Sequence, residues 1–209
     1  MSLKELKDTL ALVRALQNMK ELPRQGYIAH GFKRNDVDSV ASHSHSVAVT
    51  SLMLSKLLEK DYKIDTEKLL KFALLHDMGE AVLGDIGYMT KVFAKGAIEG
   101  VEDKAFRSLF KNVSFGNEFI RVQEEYVERK CIEARIVKIA DKIDSIAWVT
   151  NSAVLTESAR KIFVNDAETA FKTFNAWDPK LGKLFKDAAH LLFNEDINMY
   201  HAFGKEFQN

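Results

Sequence analysis

LLKFALLHDMGEAVLGD, residues 69–85, is the stretch whose reading decides the fold. Leu69, Phe72, Ala73, His76 and Glu80 recur at spacings of three and four, the period of one face of an α-helix. The face begins apolar and ends in an imidazole and a carboxylate. Such groups are costly to bury unless they are paired or bound to a metal. An apolar helix running into His76-Asp77 therefore points to a site as well as to a core. The spacing predicts a helix from about Thr66, which has capping chemistry before Glu67, to an end marked by Gly84 and Gly87.

Outward from this stretch the chain reads as all-α. Its only prolines are Pro23 and Pro179, and long proline-free segments carry apolar residues at helical spacing. A first helix is expected from Ser2 to Met19, then a break at Pro23 and Gly26 and a loop to about Asp38. A second helix begins near Ser39, with His43, Val47, Leu54 and Leu58 on one face. Residues 86–116 hold four glycines and are expected to form short helices and loops that cover a site. A helix from about Asn117 to Arg129 follows. The cleanest pattern is Ile132, Ile136, Ile139, Ala140, Ile143, Ile146 and Ala147, a core-facing helix with Asp141 on its flank. The last third resembles one or two helices with a turn at Trp177-Asp178-Pro179. Without repeats or linkers, one domain is expected over 1–209, with a metal-site core at about 23–150 and C-terminal helices at about 151–209.

Composition narrows the function classes. The 209 residues are 46% hydrophobic and 29% charged, which excludes a mostly disordered chain. Lys+Arg and Asp+Glu balance at 30 each, so no global field attracts nucleic acid polymers or membranes. The single Cys131 excludes an internal disulfide and fits a reducing interior. MSLKELKDTLALVRAL at the start reads as an amphipathic helix and not a signal peptide, and no apolar run approaches the ~20 residues of a membrane span. The expectation is a soluble cytoplasmic protein.

Four residues at apolar helix faces, His43, His76, Asp77 and Asp141, make a nitrogen–oxygen ligand set for a divalent transition metal. Glu80, one helical turn beyond His76, and Asp85 supply spare carboxylates, as hydrolysis by metal-activated water requires. His43 and His45 compete for one place, since residues two apart on a helix point to nearly opposite sides; Val47 and Leu54 turn the His43 face inward. His190 and His201 read as ordinary helix residues, and Cys131 as a core residue. An adjacent His-Asp pair is unspecific by itself, and lone cations such as Arg24 and Lys91 usually serve as solvated surface. Those two gain meaning only at a phosphate site, where positive charge and forked donors are useful.

PRQGY at 23–27, SVASHSHSVA at 39–48, LLHDMGEAVLGDI at 74–86 and KIADKID at 138–144 together resemble the HD-domain superfamily of metal-dependent phosphohydrolases, and within it the 5'-deoxynucleotidase (YfbR-like and HDDC2-like) branch. The run H-D-x-x-E-x-x-x-G-D is its most specific part. The resemblance implies a single-domain HD-type helical bundle, commonly a homodimer, acting on a small-molecule nucleotide. It implies His43, His76, Asp77 and Asp141 as ligands of one divalent ion: Co²⁺, Mn²⁺ or Mg²⁺, with Zn²⁺ or Fe²⁺ as candidates in the isolated protein. It implies Glu80 and Asp85 as catalytic carboxylates, one activating water and one protonating the leaving oxygen, in an order left open. Arg24 and Lys91 would hold phosphate. The chain departs from the pattern at Ser42, where a glutamate is usual, at Gly87, where a proline is usual, and at Gln25, where the bacterial members carry a tryptophan linked to sugar discrimination. The rival expectations are an HD-type phosphodiesterase or guanosine-tetraphosphate hydrolase, a non-catalytic nucleotide-binding regulatory module, and a di-iron oxygenase that would need about two further ligands.

Overall fold

The computed structural model describes residues 2–94, 96–195 and 197, and among these every regular element is a helix. Helix α1 (Leu3–Glu21) opens with a capping box: the Ser2 hydroxyl accepts the Glu5 N–H while the Glu5 carboxylate accepts the Ser2 N–H. A short α2 (Gln25–Ile28) occupies part of the expected loop. That loop is closed at its base, because the Arg24 N–H donates to the Asp38 carbonyl at 3.1 Å and the Val40 N–H to the Leu22 carbonyl at 2.9 Å. Helix α3 (Val40–Leu58) is capped by the Ser39 hydroxyl. Helix α4 (Thr66–Leu75) is capped by Asp65 and not by Thr66, since the Asp65 carboxylate takes the Lys68 N–H.

Short α5 (Glu80–Leu83) and α6 (Tyr88–Phe93) precede α7 (Ala97–Phe110), which is longer than the glycine content of 86–116 suggested. Helix α8 (Gly116–Glu128) turns back from α7 so closely that a β-carbon on Gly116 would collide with the Phe110 carbonyl. Helix α9 (Ile132–Thr150) contains the boundary between two compact units, residues 1–140 and 141–209.

In the first unit α3 packs on α1 and α4, α8 on α4 and α7, and α5 on α1 and α7. One cluster of buried side chains collects Met19, Val40, Leu75, Met78, Phe106 and Phe110 from these helices. Two of its members, Leu75 and Met78, flank His76-Asp77 in the chain. In the second unit α10 (Glu157–Trp177) and α11 (Pro179–Asn194) fold back on each other through the single residue Asp178, which caps α11 ahead of its proline. Phe174 meets Phe185 edge-on at 4.9 Å across that pair. Among the described residues no helix is long and apolar enough to cross a membrane.

Candidate metal centre

The expected helix through His76 and Glu80 is broken. Helix α4 stops at Leu75, His76 is its C-cap residue, and α5 starts at Glu80. Between them the backbone bonds at three-residue spacing: Met78 N–H to Leu75 O (3.1 Å), Glu80 to Asp77 (3.0 Å), Ala81 to Met78 (3.2 Å) and Val82 to Gly79 (3.1 Å). Side chains three apart eclipse in such a turn. Leu75, Met78 and Ala81 accordingly enter the core together, and Asp77 and Glu80 share another edge. The tightened turn replaces the four-residue relation of His76 to Glu80 with a three-residue relation of Asp77 to Glu80.

Three of the expected ligands converge on one point. His43, fully buried on α3, places Nε2 3.6 Å from Asp77 Oδ2; His76 places Nε2 3.1 Å from the same oxygen. The two imidazoles meet edge to face at 5.6 Å, and one ligand atom from each of the three residues lies within 4.8 Å of the others. The His76 Nδ1 lies 2.8 Å from the Ala73 carbonyl, which can only accept, so Nδ1 donates there and Nε2 is the nitrogen that faces Asp77. His76 Nε2 is buried and forms no hydrogen bond. Two imidazole nitrogens and a carboxylate oxygen gathered at one buried point are a donor set that fits a divalent metal. Burial pushes the Asp77 carboxyl up, but His76, His43 and Arg24 together hold it well below the usual carboxylate range. Asp141 is buried on α9 and is the first residue of the 141–209 unit.

The carboxylates around this point differ in kind. Glu80 is buried and its Oε2 has no hydrogen-bond partner. Burial foremost, then the Asp77 and Asp85 charges, push it up to about 10 against the pull of Arg24 and Lys91. Asp85 is half-buried and accepts the Gln25 N–H on Oδ2 at 2.5 Å. Gly84 makes this possible: its φ of 76° turns the chain sharply out of α5, a conformation that favours glycine. Asp85 thereby ties the G-D turn to the Pro23–Tyr27 segment. Arg24 reaches Asp77 Oδ2 at 3.4 Å and stands 5.8 Å over the Tyr27 ring. Lys91 on α6 pairs at 3.0 Å with Glu102 on α7.

Comparison with known proteins fits this geometry. The profile of the HD domain family matches residues 16–176. The chain belongs to the HD domain family. Curated relatives of this HD domain include the 5'-deoxynucleotidase HDDC2 of Dictyostelium discoideum, 32% identical over 61% of this chain and 68% of the relative. Another is the 5'-deoxynucleotidase hdd1 of Schizosaccharomyces pombe, 29% identical over 63% of this chain and 66% of the relative. The chain thus spans about two thirds of the length of these relatives. A crystal structure from Pyrococcus horikoshii OT3 is 28% identical, with a TM-score of 0.72 over 87% of this chain and 99% of the other. A protein described as a predicted metal-dependent phosphohydrolase from Magnetospirillum magnetotacticum MS-1 shares the fold at 17% identity and a TM-score of 0.66, over 90% of this chain and 93% of the other.

The departures of this HD domain from the expected pattern have local explanations. Ser42 sits at the third position of α3, where its hydroxyl meets the Ser39 hydroxyl at 2.9 Å; the residue belongs to the helix cap. A β-carbon on Gly87 would stand 3.7 Å from the Gln25 β-carbon, so two of the departures occupy touching positions. His45 is exposed, whereas His43 is buried. His190 is an exposed residue of α11, and His201 lies outside the described residues. Cys131 is half-exposed at the start of α9 and not in the core. The sequence reading did not find Glu102 or the α8 side chains against His76. Glu102 had no signal beyond its charge, whereas Tyr126 lies on the apolar face of α8 and could have been found by helical periodicity.

Proposed function

We propose that this HD domain is a metal-dependent phosphohydrolase that removes phosphate from nucleoside 5'-monophosphates, the deoxy series included. The observation that carries the reading is the convergence of His43, His76 and Asp77 beside the buried Glu80. Relatives named 5'-deoxynucleotidases support the substrate class.

His43, His76 and Asp77 would hold one divalent ion, and the sequence resemblance supplies Asp141 as the fourth ligand. Bound there, such an ion would supply Lewis acidity toward a phosphoryl oxygen and toward water. Arg24, already against Asp77, binds non-bridging phosphate oxygens, and Lys91 adds a second positive charge. Glu80, whose carboxyl is pushed up by burial and by the neighbouring Asp77 and Asp85 charges, is the proposed donor of a proton to the departing 5'-oxygen. Asp85 keeps one oxygen on the Gln25 N–H and orients the attacking water with the other. No glycine-rich loop is present to cradle a triphosphate tail, so monophosphates are the preferred class.

The reading treats 1–209 as one HD domain, supported by a family match that crosses the boundary between the two compact units. It includes a cytoplasmic homodimer, and light scattering on the purified chain tests the dimer. The test of activity is phosphate release from a panel of nucleotides with Mn²⁺, Co²⁺ and Mg²⁺ supplied separately. Release from 5'-monophosphates supports it. Cleavage of cyclic or bis-phosphorylated nucleotides without monophosphate turnover would transfer the site to the phosphodiesterase or guanosine-tetraphosphate hydrolase class.

A further inference from the structure

The far side of the His76 imidazole is built by α8. Gln123 sends Nε2 to the His76 carbonyl at 3.4 Å, satisfying an oxygen that the end of α4 leaves without an intrahelical partner. Tyr126, three residues on and so on the same helix face, is buried and meets the His76 ring edge-on at 6.0 Å. Phe72 of α4 stands 5.8 Å from the same tyrosine ring. Behind the tyrosine lies Arg129, its guanidinium carbon 3.3 Å from the ring centroid.

Arg129 is an unusual residue for its position. It is the C-cap of α8 with φ of 55°, left-handed backbone that glycine adopts without cost and an L side chain resists. Among the described residues it is the only non-glycine with positive φ. Its backbone is held there, because its N–H and its Nη1 both donate to the Tyr126 carbonyl and its own carbonyl accepts the Arg135 Nε at 2.9 Å. What an arginine adds that glycine lacks is the Nη1 hydrogen bond to the Tyr126 carbonyl and the cation stacked on the Tyr126 ring.

We infer that Tyr126, backed by Arg129 and joined by Gln123, is the positioning element that fixes the His76 imidazole for metal binding. The Ala73 carbonyl sets the tautomer, the Gln123 amide anchors the backbone, and the Tyr126 and His43 rings restrict the imidazole from two directions. Groups that orient a metal-ligating histidine typically contribute 10–100-fold to metal affinity. The inference rests on the metal-centre reading above.

The test measures the Kd for Mn²⁺ and Co²⁺ by titration, the visible absorption of the Co²⁺ form, and the melting temperature of the metal-free chain. Tyr126→Leu is expected to weaken metal binding by about 10–100-fold and shift the Co²⁺ band, with Tyr126→Phe within threefold of the parent. Gln123→Leu, which removes only the bond to the carbonyl, is expected to lose a few-fold. Arg129→Gly is the variant that separates positioning from folding. Glycine suits the left-handed backbone, so the metal-free melting temperature should hold or rise while metal affinity falls. Parent-like affinity and Co²⁺ spectra in Tyr126→Leu and Arg129→Gly would overturn the inference. A parent chain that binds no ion at all would overturn the metal-centre reading, and the inference with it.

Discussion

Asp77 and Glu80 stand three residues apart on a turn whose hydrogen bonds also span three residues, and their protons are held in opposite ways. Both lie against the same point, but Asp77 has two imidazoles and a guanidinium beside it, whereas Glu80 has burial and two carboxylates. The first stays ionised far below its ordinary range; the second is pushed up to about 10. Carboxyl pairs whose surroundings drive them apart divide into a charged partner and a proton carrier. Here the division follows from surroundings: burial foremost pushes Glu80 up, whereas His76, His43 and Arg24 hold Asp77 down.

The protonated Glu80 has a consequence for stability. Its pKa rises on folding from 4.5 to about 10, so the folded chain binds a proton that the unfolded chain releases. The stability associated with that proton is complete below about pH 4.5 and is lost as pH rises toward 10. The slope is at most about 1.4 kcal/mol per pH unit. Glu80→Gln, which cannot ionise, should melt above the metal-free parent at pH 8 and close to it at pH 4.5. Its turnover should fall by about 10²–10⁴-fold, the usual contribution of a positioned acid or base. Parallel melting of parent and variant across the range would show that Glu80 is ionised in the folded chain at neutral pH. Asp77 has the opposite sign: its stabilising charge is present above 3.8 and lost as pH falls below it.

Asp77→Ala should remove metal and activity together while the far-ultraviolet helical spectrum survives. The oxygen it deletes is the one that both His43 and His76 face. Elemental analysis of the purified variant is the measurement, and full metal occupancy would show that the ion sits elsewhere.

Asp85→Ala should keep its metal and lose turnover by about 10²–10⁴-fold. The structure adds a second effect: without the carboxylate, the Gln25 N–H loses its acceptor and the Arg24 segment loosens, so KM should rise as well. Asp85→Asn restores an acceptor without the charge and should recover KM more than kcat. Unchanged KM in Asp85→Ala would confine the residue to the chemical step.

Lys91 faces a competition. Burial opposes its charge, but Glu102 beside it, with Glu80 and Asp77 further off, raises its pKa and keeps it cationic. Phosphate must draw this ammonium away from Glu102 or share it. Glu102→Gln should therefore lower KM for a monophosphate by a few-fold, and Lys91→Ala should raise it by about tenfold, the scale of one charge-assisted hydrogen bond. Identical steady-state constants in both variants would place Lys91 outside the phosphate site.

Helix existence and the inward face of His43 were legible because both rest on periodicity: His43 falls in step with Val47, Leu54 and Leu58, and all four are buried. The break after Leu75 was not. LLHDMGEAVL keeps its apolar residues compatible with a four-residue repeat, and only Gly79 hints at a change, while the three-residue bonding is a property of the packed chain. The same limit hid α2, whose four residues follow Arg24 and whose first N–H is taken by Asp85, sixty residues away in sequence. Such pairings are made by tertiary folding and leave no trace in local spacing. Glu102 is invisible for the same reason, being one acid among 30.

The contact between Gln25 and Gly87 bears on sugar choice. By resemblance, the bacterial members carry a tryptophan at the first position and a proline is usual at the second, and here both are replaced at positions whose β-carbons would stand 3.7 Å apart. A flat aromatic ring packs against a sugar and excludes a 2'-hydroxyl by shape. Glutamine is flexible and offers both a donor and an acceptor to that hydroxyl. The glycine leaves room for the glutamine to move. The parent should therefore discriminate weakly between matched deoxy and ribo 5'-monophosphates, judged by kcat/KM. Gln25→Trp should shift the ratio toward the deoxy substrate by about tenfold, the scale of one poorly accommodated group in an apolar pocket. Gln25→Trp combined with Gly87→Pro should shift it further, because the proline ring narrows the space into which the indole could turn away. A strong deoxy preference in the parent, unmoved by either change, would place discrimination in the loop between Gly26 and Asp38.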